Sequence, residues 1–139
     1  MFKLLDSISG IAHWAPRIGL ASIFFYHGTT KFPVAQSMAD MMGMPLTMIY
    51  LLATMEVIGA LLILVGGFGP DWSTRLGALM LMPVMAGAVI MVHWGRWSFV
   101  ATDTHPMGGM EFQVTMILIL SYLLIKGNSV NEATIRSVN

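Results

Sequence analysis

The sequence contains no cysteine and few charged residues. The missing thiols exclude disulfide bonds, cysteine-ligated clusters and thiol catalysis by this chain itself. Charged side chains make up 10% of the 139 residues, against about 25% in ordinary soluble domains, and the formal net charge is zero. A neutral chain offers no basic surface, so we expect no nucleic-acid partner. We also expect no cleavable signal peptide, because residues 1–14 lack a continuous apolar core.

Apolar residues are abundant instead, at 56% of the chain, with a mean hydropathy of +0.75. About 20 such residues cross a bilayer. Because backbone polar groups must be satisfied within lipid, the sequence predicts an all-α membrane domain over residues 1–139, a four-helix up-down bundle. A helical pattern over residues 2–12 predicts a short N-terminal interfacial helix or an extension of the first span. The predicted spans cover about residues 15–32, 46–65, 73–94 and 109–125.

The basic residues predict the orientation of these spans. An even number of spans places both termini on one side, and that side receives more Lys and Arg than the other. The positive-inside rule then makes the termini cytoplasmic in a bacterial inner membrane, with loops 33–45 and 95–108 outside. The basic residues on the side of the termini are Lys3, Arg17, Arg75, Lys126 and Arg136, and those on the other side are Lys31 and Arg96.

Small residues and proline indicate how the helices pack. Glycine in a span allows close helix approach, and Pro83 inside the third span predicts a kink. The glycines expected at helix contacts are Gly19, Gly28, Gly59, Gly77 and Gly87.

Glu56 lies in the middle of Leu46–Val65, which is otherwise free of charge. A charge near the bilayer midplane costs about 2.5–3.5 kcal/mol on insertion scales, so such a residue marks a functional site or an ion pair that locks helices together. On antiparallel neighbours the helix rise places Arg17 near the same depth, so Arg17–Glu56 is the predicted intramembrane charge pair. His27 is a competing partner, and protonation of the carboxylate is a third solution.

A polar cluster is predicted at the outer end of the bundle. His27 and Lys31 are four residues apart on one helix face, His93 closes the third span, and Glu111 opens the fourth. Such groups could bind a quinone headgroup, relay protons or hold a metal, although no HxxxH or ExxH spacing supports a metal site. The structural alternatives are backbone hydrogen bonds for the histidines, a helix-dipole role for Glu111 and snorkelling of Lys31.

Methionine is frequent, with 14 residues, several of them in the two outer loops. Thioethers together with histidine select Cu(I). Methionine is also common filler for irregular apolar contacts. Both interpretations apply to Met38, Met41, Met42, Met44, Met107 and Met110.

Four short motifs resemble the DoxX family. Arg17–Leu20 followed by Phe24–Phe32 resembles its first helix, and Glu56–Leu62 with a glycine turn and Thr74–Ala78 resembles the next pair. His93 and the segment Gly108–Phe112 complete a resemblance over about residues 15–127. The resemblance implies a small four-helix membrane protein. Founding members look like subunits of a thiosulfate:quinone oxidoreductase, and relatives partner with thiol-redox or detoxification systems.

Two functions fit these observations. The first is a redox-linked membrane subunit in which His27, Lys31, His93 and Glu111 bind a quinone or a partner's cofactor. Arg17 with Glu56 would then form a proton path or an anchor, and another chain would supply the electrons, since no covalent cofactor or catalytic motif is visible. The second is a non-enzymatic accessory or assembly subunit that docks on a larger membrane complex among lipids. A small transporter is less favoured, because four spans are few for alternating access.

Overall fold

The computed structural model describes residues 8–128, and this part of the chain is helical. The predicted interfacial helix over residues 2–12 falls largely outside the described residues, as do Lys3 and Arg136. The helices are α1 (Trp14–Lys31), α2 (Ala35–Met42), α3 (Leu46–Phe68), α4 (Asp71–Ala88) and α5 (Glu111–Lys126).

Shorter turns connect these helices. A 3₁₀ turn at Ser9–Ile11 precedes α1, a second at Phe32–Val34 leads into α2, and a π-helical turn at Val89–His93 extends α4. Within residues 8–128 there is no strand, only an isolated backbone pairing of Thr102 with His105. The loop between the π turn and α5 is therefore the longest irregular segment of the described chain.

Prolines and glycines set the helix ends. Pro45 precedes α3 and Pro70 precedes α4, where a fixed φ and a missing N–H suit the start of a helix. Gly69 ends α3, and its N–H donates to the carbonyl of Val65 at 2.8 Å. The helix α4 continues through Pro83, and a kink at that residue stays a prediction.

Two of the helices are long and apolar enough to cross a membrane. They are α3, Leu46–Phe68, and α4 with its π turn, Asp71–His93, each of 23 residues. The helices α1 and α5 also lie where the sequence predicts helices, within a few residues at each end. That all four helices cross a membrane stays a prediction at this point.

The segment over residues 33–45, predicted as an outer loop, does connect α1 to α3, but most of it is helical and forms α2. Ala35 and Ala39, one helical turn apart, are buried against Ile49 of α3. Gly43 ends α2 with a left-handed φ of 62°, a conformation that glycine adopts without strain. A small apolar face on α3 therefore holds this segment as a helix.

The four long helices pack in chain order, α1 on α3, α3 on α4, and α4 on α5. Neighbours are antiparallel: the ring of Trp14 packs at a tilt of 51° against that of Phe68, and Arg75 donates to the carbonyl of Leu124 at 2.7 Å. We call one end of the bundle the Trp14 end and the other the Lys31 end. All four helices contribute to a central apolar core of Leu20, Ala21, Phe24, Ala60, Ile63, Ala78, Leu81, Met116, Leu120 and Leu123.

Three of the five predicted glycines lie at helix contacts. A Cβ on Gly77 would lie 2.8 Å from the carbonyl oxygen of Gly59, so α3 and α4 touch through their backbones there. A Cβ on Gly28 would lie 2.9 Å from the carbonyl oxygen of Ala53, so α1 approaches α3 as closely. Gly19 and Gly87 differ, because within residues 8–128 no heavy atom of another helix lies within 4 Å of such a Cβ at either position.

This difference predicts opposite effects of the same substitution. Gly77→Ala should lower the free energy of unfolding by about 1–3 kcal/mol, because the added methyl group overpacks the α3–α4 contact. Gly19→Ala meets open space and should raise it by up to about 1 kcal/mol through helix propensity. Thermal unfolding of both variants in the same detergent measures the difference. Equal midpoints would contradict the close contact at Gly77.

Candidate functional site

Lys31 and Glu56 form a buried ion pair between α1 and α3. The Nζ atom of Lys31 lies 2.5 Å from Oε2 of Glu56, and the two side chains are 19% and 3% exposed. Nζ also donates to the carbonyl oxygen of His27 at 3.2 Å. The missing side chain of Gly28 lets α1 approach Glu56 closely enough for the last residue of α1 to reach it. The carboxylate of the apolar helix α3 therefore has a cationic partner.

His27 lies at the exposed surface beside this pair. Its ring packs edge-on against Tyr26, with ring centroids 5.6 Å apart, and it interacts electrostatically with Glu56. Within the described chain, His27 makes no hydrogen bond to Glu56, whose partner is Lys31. Exposure therefore increases from the buried carboxylate of Glu56 to the partly exposed ammonium of Lys31 and the exposed imidazole of His27.

The predicted Arg17–Glu56 pair is wrong. Arg17 is fully buried at the Trp14 end of the bundle, where its guanidinium donates to four acceptors and none of them is Glu56. The acceptors are Nδ1 of His13 at 3.2 Å, Oγ1 of Thr74 at 3.0 Å, the carbonyl oxygen of Gly127 at 3.4 Å and Oδ1 of Asn128 at 3.0 Å.

The register between α1 and α3 explains this error. Glu56 lies opposite Gly28, whose Cβ position is 3.0 Å from the Cβ of Glu56. Arg17 lies three turns earlier on α1, roughly 16 Å closer to the Trp14 end at about 1.5 Å per residue. An arginine side chain does not cover that separation, whereas Lys31 lies less than one turn from Gly28.

The groups around Arg17 form a polar cluster that closes the Trp14 end. Thr74 Oγ1 donates to Asn128 Oδ1 at 2.8 Å, and the Asn128 N–H donates to Asp71 Oδ1 at 2.6 Å. Partial burial and the adjacent Arg17 charge lower the pKa of His13, so its imidazole stays neutral and accepts at Nδ1. Because these groups hydrogen-bond to one another, the cluster is suited to a structural role, connecting α1 and α4 with the residues after α5.

His93 and Glu111, the other members of the predicted cluster, fix the loop before α5. His93 is buried, and its Nδ1 lies 3.0 Å from the carbonyl oxygen of Gly108. Glu111 Oε2 accepts from the Phe99 N–H at 3.3 Å. Among the described residues no hydrogen bond or ion pair links either group to Lys31 or Glu56.

One polar group at the same end escaped sequence reasoning. The Oε1 atom of Gln113, in the first turns of α5, is buried without a hydrogen-bond partner among residues 8–128. A buried amide oxygen without a partner is costly and can accept from a ligand. Its signal in the sequence is weak, because a single glutamine in an amphipathic helix start is ordinary.

Nothing in the described chain forms a metal centre of the common hard type. Residues 8–128 contain no group of three or more His, Asp or Glu side chains that could hold a metal ion. The ammonium of Lys31 and the carboxylate of Glu56 can form hydrogen bonds and exchange protons.

Comparison with known proteins decides the family. The DoxX profile matches residues 12–94, more than half of the chain. This chain belongs to the DoxX family. The DoxX match includes Arg17, Lys31, Glu56 and His93, so the resemblance carried by these motifs is confirmed. The DoxX family is membrane-associated, which agrees with the two apolar helices α3 and α4.

One curated relative and the solved structures complete the comparison. The DoxX chain is 27% identical over 115 residues to the Bacillus subtilis (strain 168) protein named "Putative oxidoreductase CatD", covering 81% of this chain and 76% of that protein. No solved structure matches the DoxX chain. The printed name assigns oxidoreductase chemistry to that relative.

Proposed function

We propose that this chain is an integral-membrane subunit of a redox-linked complex, in which His27, Lys31 and Glu56 bind the headgroup of a quinone. One observation carries the proposal. The Lys31–Glu56 ion pair is largely buried beside the apolar helix α3, and the exposed His27 lies next to it at the helix surface. Ionisable groups at such a depth mark ligand and proton pathways more often than they mark simple packing. The oxidoreductase name of the relative supports the redox assignment.

Each of the three side chains has a part in this chemistry. The Lys31 ammonium and the His27 imidazole can donate hydrogen bonds to a quinone carbonyl oxygen. Reduction of a quinone to a quinol takes two electrons and two protons, one proton for each oxygen. Glu56 with Lys31 can pass one proton from the interior to the oxygen that they bind, and water supplies the proton of the other oxygen. The electrons would come from a redox chain that binds this one, since this sequence carries no cysteine.

The proposal includes four membrane crossings with cytoplasmic termini in a bacterial inner membrane. Helices α1 and α5 have 18 and 16 residues, which gives about 27 and 24 Å of rise against a hydrocarbon core of about 30 Å. Lys126 at the end of α5 can snorkel to the headgroups. The Lys31 end then faces the outside of the cytoplasmic membrane.

A second function, accessory docking on a larger membrane complex, is favoured by a different observation. Lys31 is already bonded to Glu56, and the side chains of His93 and Glu111 are already bonded to backbone groups of the loop before α5. In this alternative the ion pair only joins α1 to α3, and the exposed apolar helix faces bind the partner.

Quinone retention separates the two functions. The chain is purified from its native membrane in mild detergent, and extracted quinones are quantified per chain by mass spectrometry. His27→Ala should lower retention by about tenfold, the value of one hydrogen bond of about 1.4 kcal/mol, without lowering the yield of protein. Thr29→Val is the matched control, because Thr29 is exposed on the same helix and bonds only its own backbone.

The accessory function gives a different result. The amount of quinone per chain would be the same in wild type and variants, and no higher than the amount carried over with bulk lipid in the detergent extract. A large partner complex would co-purify. Glu56→Gln would then reduce the abundance of the chain or its recovery with that complex. That outcome would contradict the quinone proposal.

A further inference from the structure

A cavity of about 370 Å³ at the Lys31 end is lined by an unusual set of side chains. Three segments that are far apart in the sequence meet there: α2, the π-helical turn and the loop before α5. Four of the eight lining residues are methionines and one is a histidine. The lining residues are Met41, Met42, Met91, Val92, Thr104, His105, Pro106 and Met107.

Packing does not explain most of these methionines. Met41, Met91 and Met107 are 72%, 57% and 65% exposed. A methionine that fills a core gap is buried, as the partly buried Met38, Met42 and Met44 are against the α2–α3 contact. The filler interpretation therefore fits these three residues and fails for the three exposed thioethers at the cavity.

His105 is held in position by its own loop. Backbone N–H groups of Thr102 and His105 each donate to the other's carbonyl oxygen at 3.0 Å, and Arg96 donates to Thr102 Oγ1 at 2.6 Å. The Nδ1 atom of His105 lies 3.2 Å from Thr104 Oγ1. In the tautomer whose Nδ1–H donates to this hydroxyl, Nε2 has a free lone pair for a ligand, as in metal-binding histidines.

We propose that this cavity is a Cu(I) site, with thioether sulfurs of Met41, Met91 and Met107 and Nε2 of His105 as ligands. Thioether and imidazole are soft to intermediate, neutral ligands that select Cu(I). No carboxylate lines the cavity, so hard divalent ions, which prefer oxygen ligands, are disfavoured. The proposal concerns binding alone and does not depend on the quinone function.

Titration of the purified full chain tests this site. The chain in detergent is titrated with Cu(I) under anaerobic, reducing conditions against the chromophoric chelator bicinchoninate. Wild type should take up one Cu(I) per chain, and X-ray absorption should show sulfur and nitrogen ligands. The triple variant Met41→Leu, Met91→Leu, Met107→Leu should lower the affinity by more than about tenfold.

Leucine keeps the apolar volume, so these replacements should leave the fold intact, and unchanged circular dichroism confirms that they do. Met48→Leu is the matched control, because Met48 is also exposed, at 40%, but does not line the cavity. The proposal is overturned if wild type takes up no more Cu(I) than detergent alone. It is also overturned if the triple variant keeps full affinity, if Met48→Leu loses as much, or if Zn(II) competes equally through His105.

Discussion

Replacing Lys31 by methionine is expected to destabilise the protein by about 3 kcal/mol. The substitution keeps the aliphatic stem but leaves the 3%-exposed Glu56 side chain without its ammonium partner. Removing one member of a buried ion pair typically costs 3–5 kcal/mol, and we take the low end because Lys31 itself is partly exposed. Glu56 must then either keep an unpaired charge or take up a proton. Thermal unfolding in detergent measures the loss.

The double variant Lys31→Met, Glu56→Met should recover most of that stability. Two apolar side chains of similar volume often replace a buried ion pair at little net cost. Recovery to within about 1 kcal/mol of wild type is the expected result. Quinone retention should nevertheless stay lost in the double variant, because its binding groups are gone. If stability and quinone retention both recovered, the pair would be structural only.

Thr30→Met is the control for the Lys31 substitution. It places the same side chain on the preceding residue of α1, which is exposed and bonds only its own helix backbone. A loss in this variant as large as in Lys31→Met would mean that the ion pair contributes nothing.

Arg17→Ala should destabilise the protein by more than about 3 kcal/mol. The substitution removes four hydrogen bonds from a fully buried guanidinium and leaves Thr74 and the Gly127 carbonyl with fewer partners. It also opens a cavity in a packed region. Arg17→Lys should be intermediate, since an ammonium keeps the charge but lacks the planar fork that reaches several acceptors at once.

Arg75→Ala provides the comparison. Arg75 pairs with Asp71 at 2.5 Å, one turn away on the same helix, and the two side chains are 42% and 46% exposed. Exposed pairs contribute about 0.2–1 kcal/mol. Water can replace the two hydrogen bonds that the half-exposed Arg75 donates to the carbonyl oxygens of Leu124 and Ile125, so this loss should be smaller than that of Arg17→Ala. Denaturant titration of both variants gives the ratio, and similar losses would contradict the distinction between the two arginines.

The sequence predicts the helices and the importance of Glu56 for clear physical reasons. Long apolar runs bounded by proline and glycine predict helices directly, and one charge inside such a run is conspicuous. The partner of Glu56 could not be predicted in the same way. Which residue faces it depends on the register of α1 on α3, and that register is set by the close contact at Gly28.

The cavity lined by methionines shows a second limit of sequence reasoning. Met41 and Met107 lie in the two segments that the sequence predicts as outer loops, whereas Met91 lies in the predicted third span. Their meeting depends on α2, which was predicted as loop, and on the packing of the loop around His105. Long-range convergence of this kind is a property of the tertiary structure and leaves little periodic signal in the chain.

The hydrogen bond from Arg17 to Gly127 also has a consequence for folding during translation. The two residues are 110 positions apart in the chain. At about 5–20 residues per second, synthesis reaches Gly127 roughly 5–20 s after it passes Arg17. Until then the guanidinium of a half-made chain lacks two of its acceptors, in Gly127 and Asn128. The first helix of the nascent protein therefore carries a guanidinium with incomplete hydrogen bonding. These hydrogen bonds are completed only after the last helix and the residues that follow it have been translated.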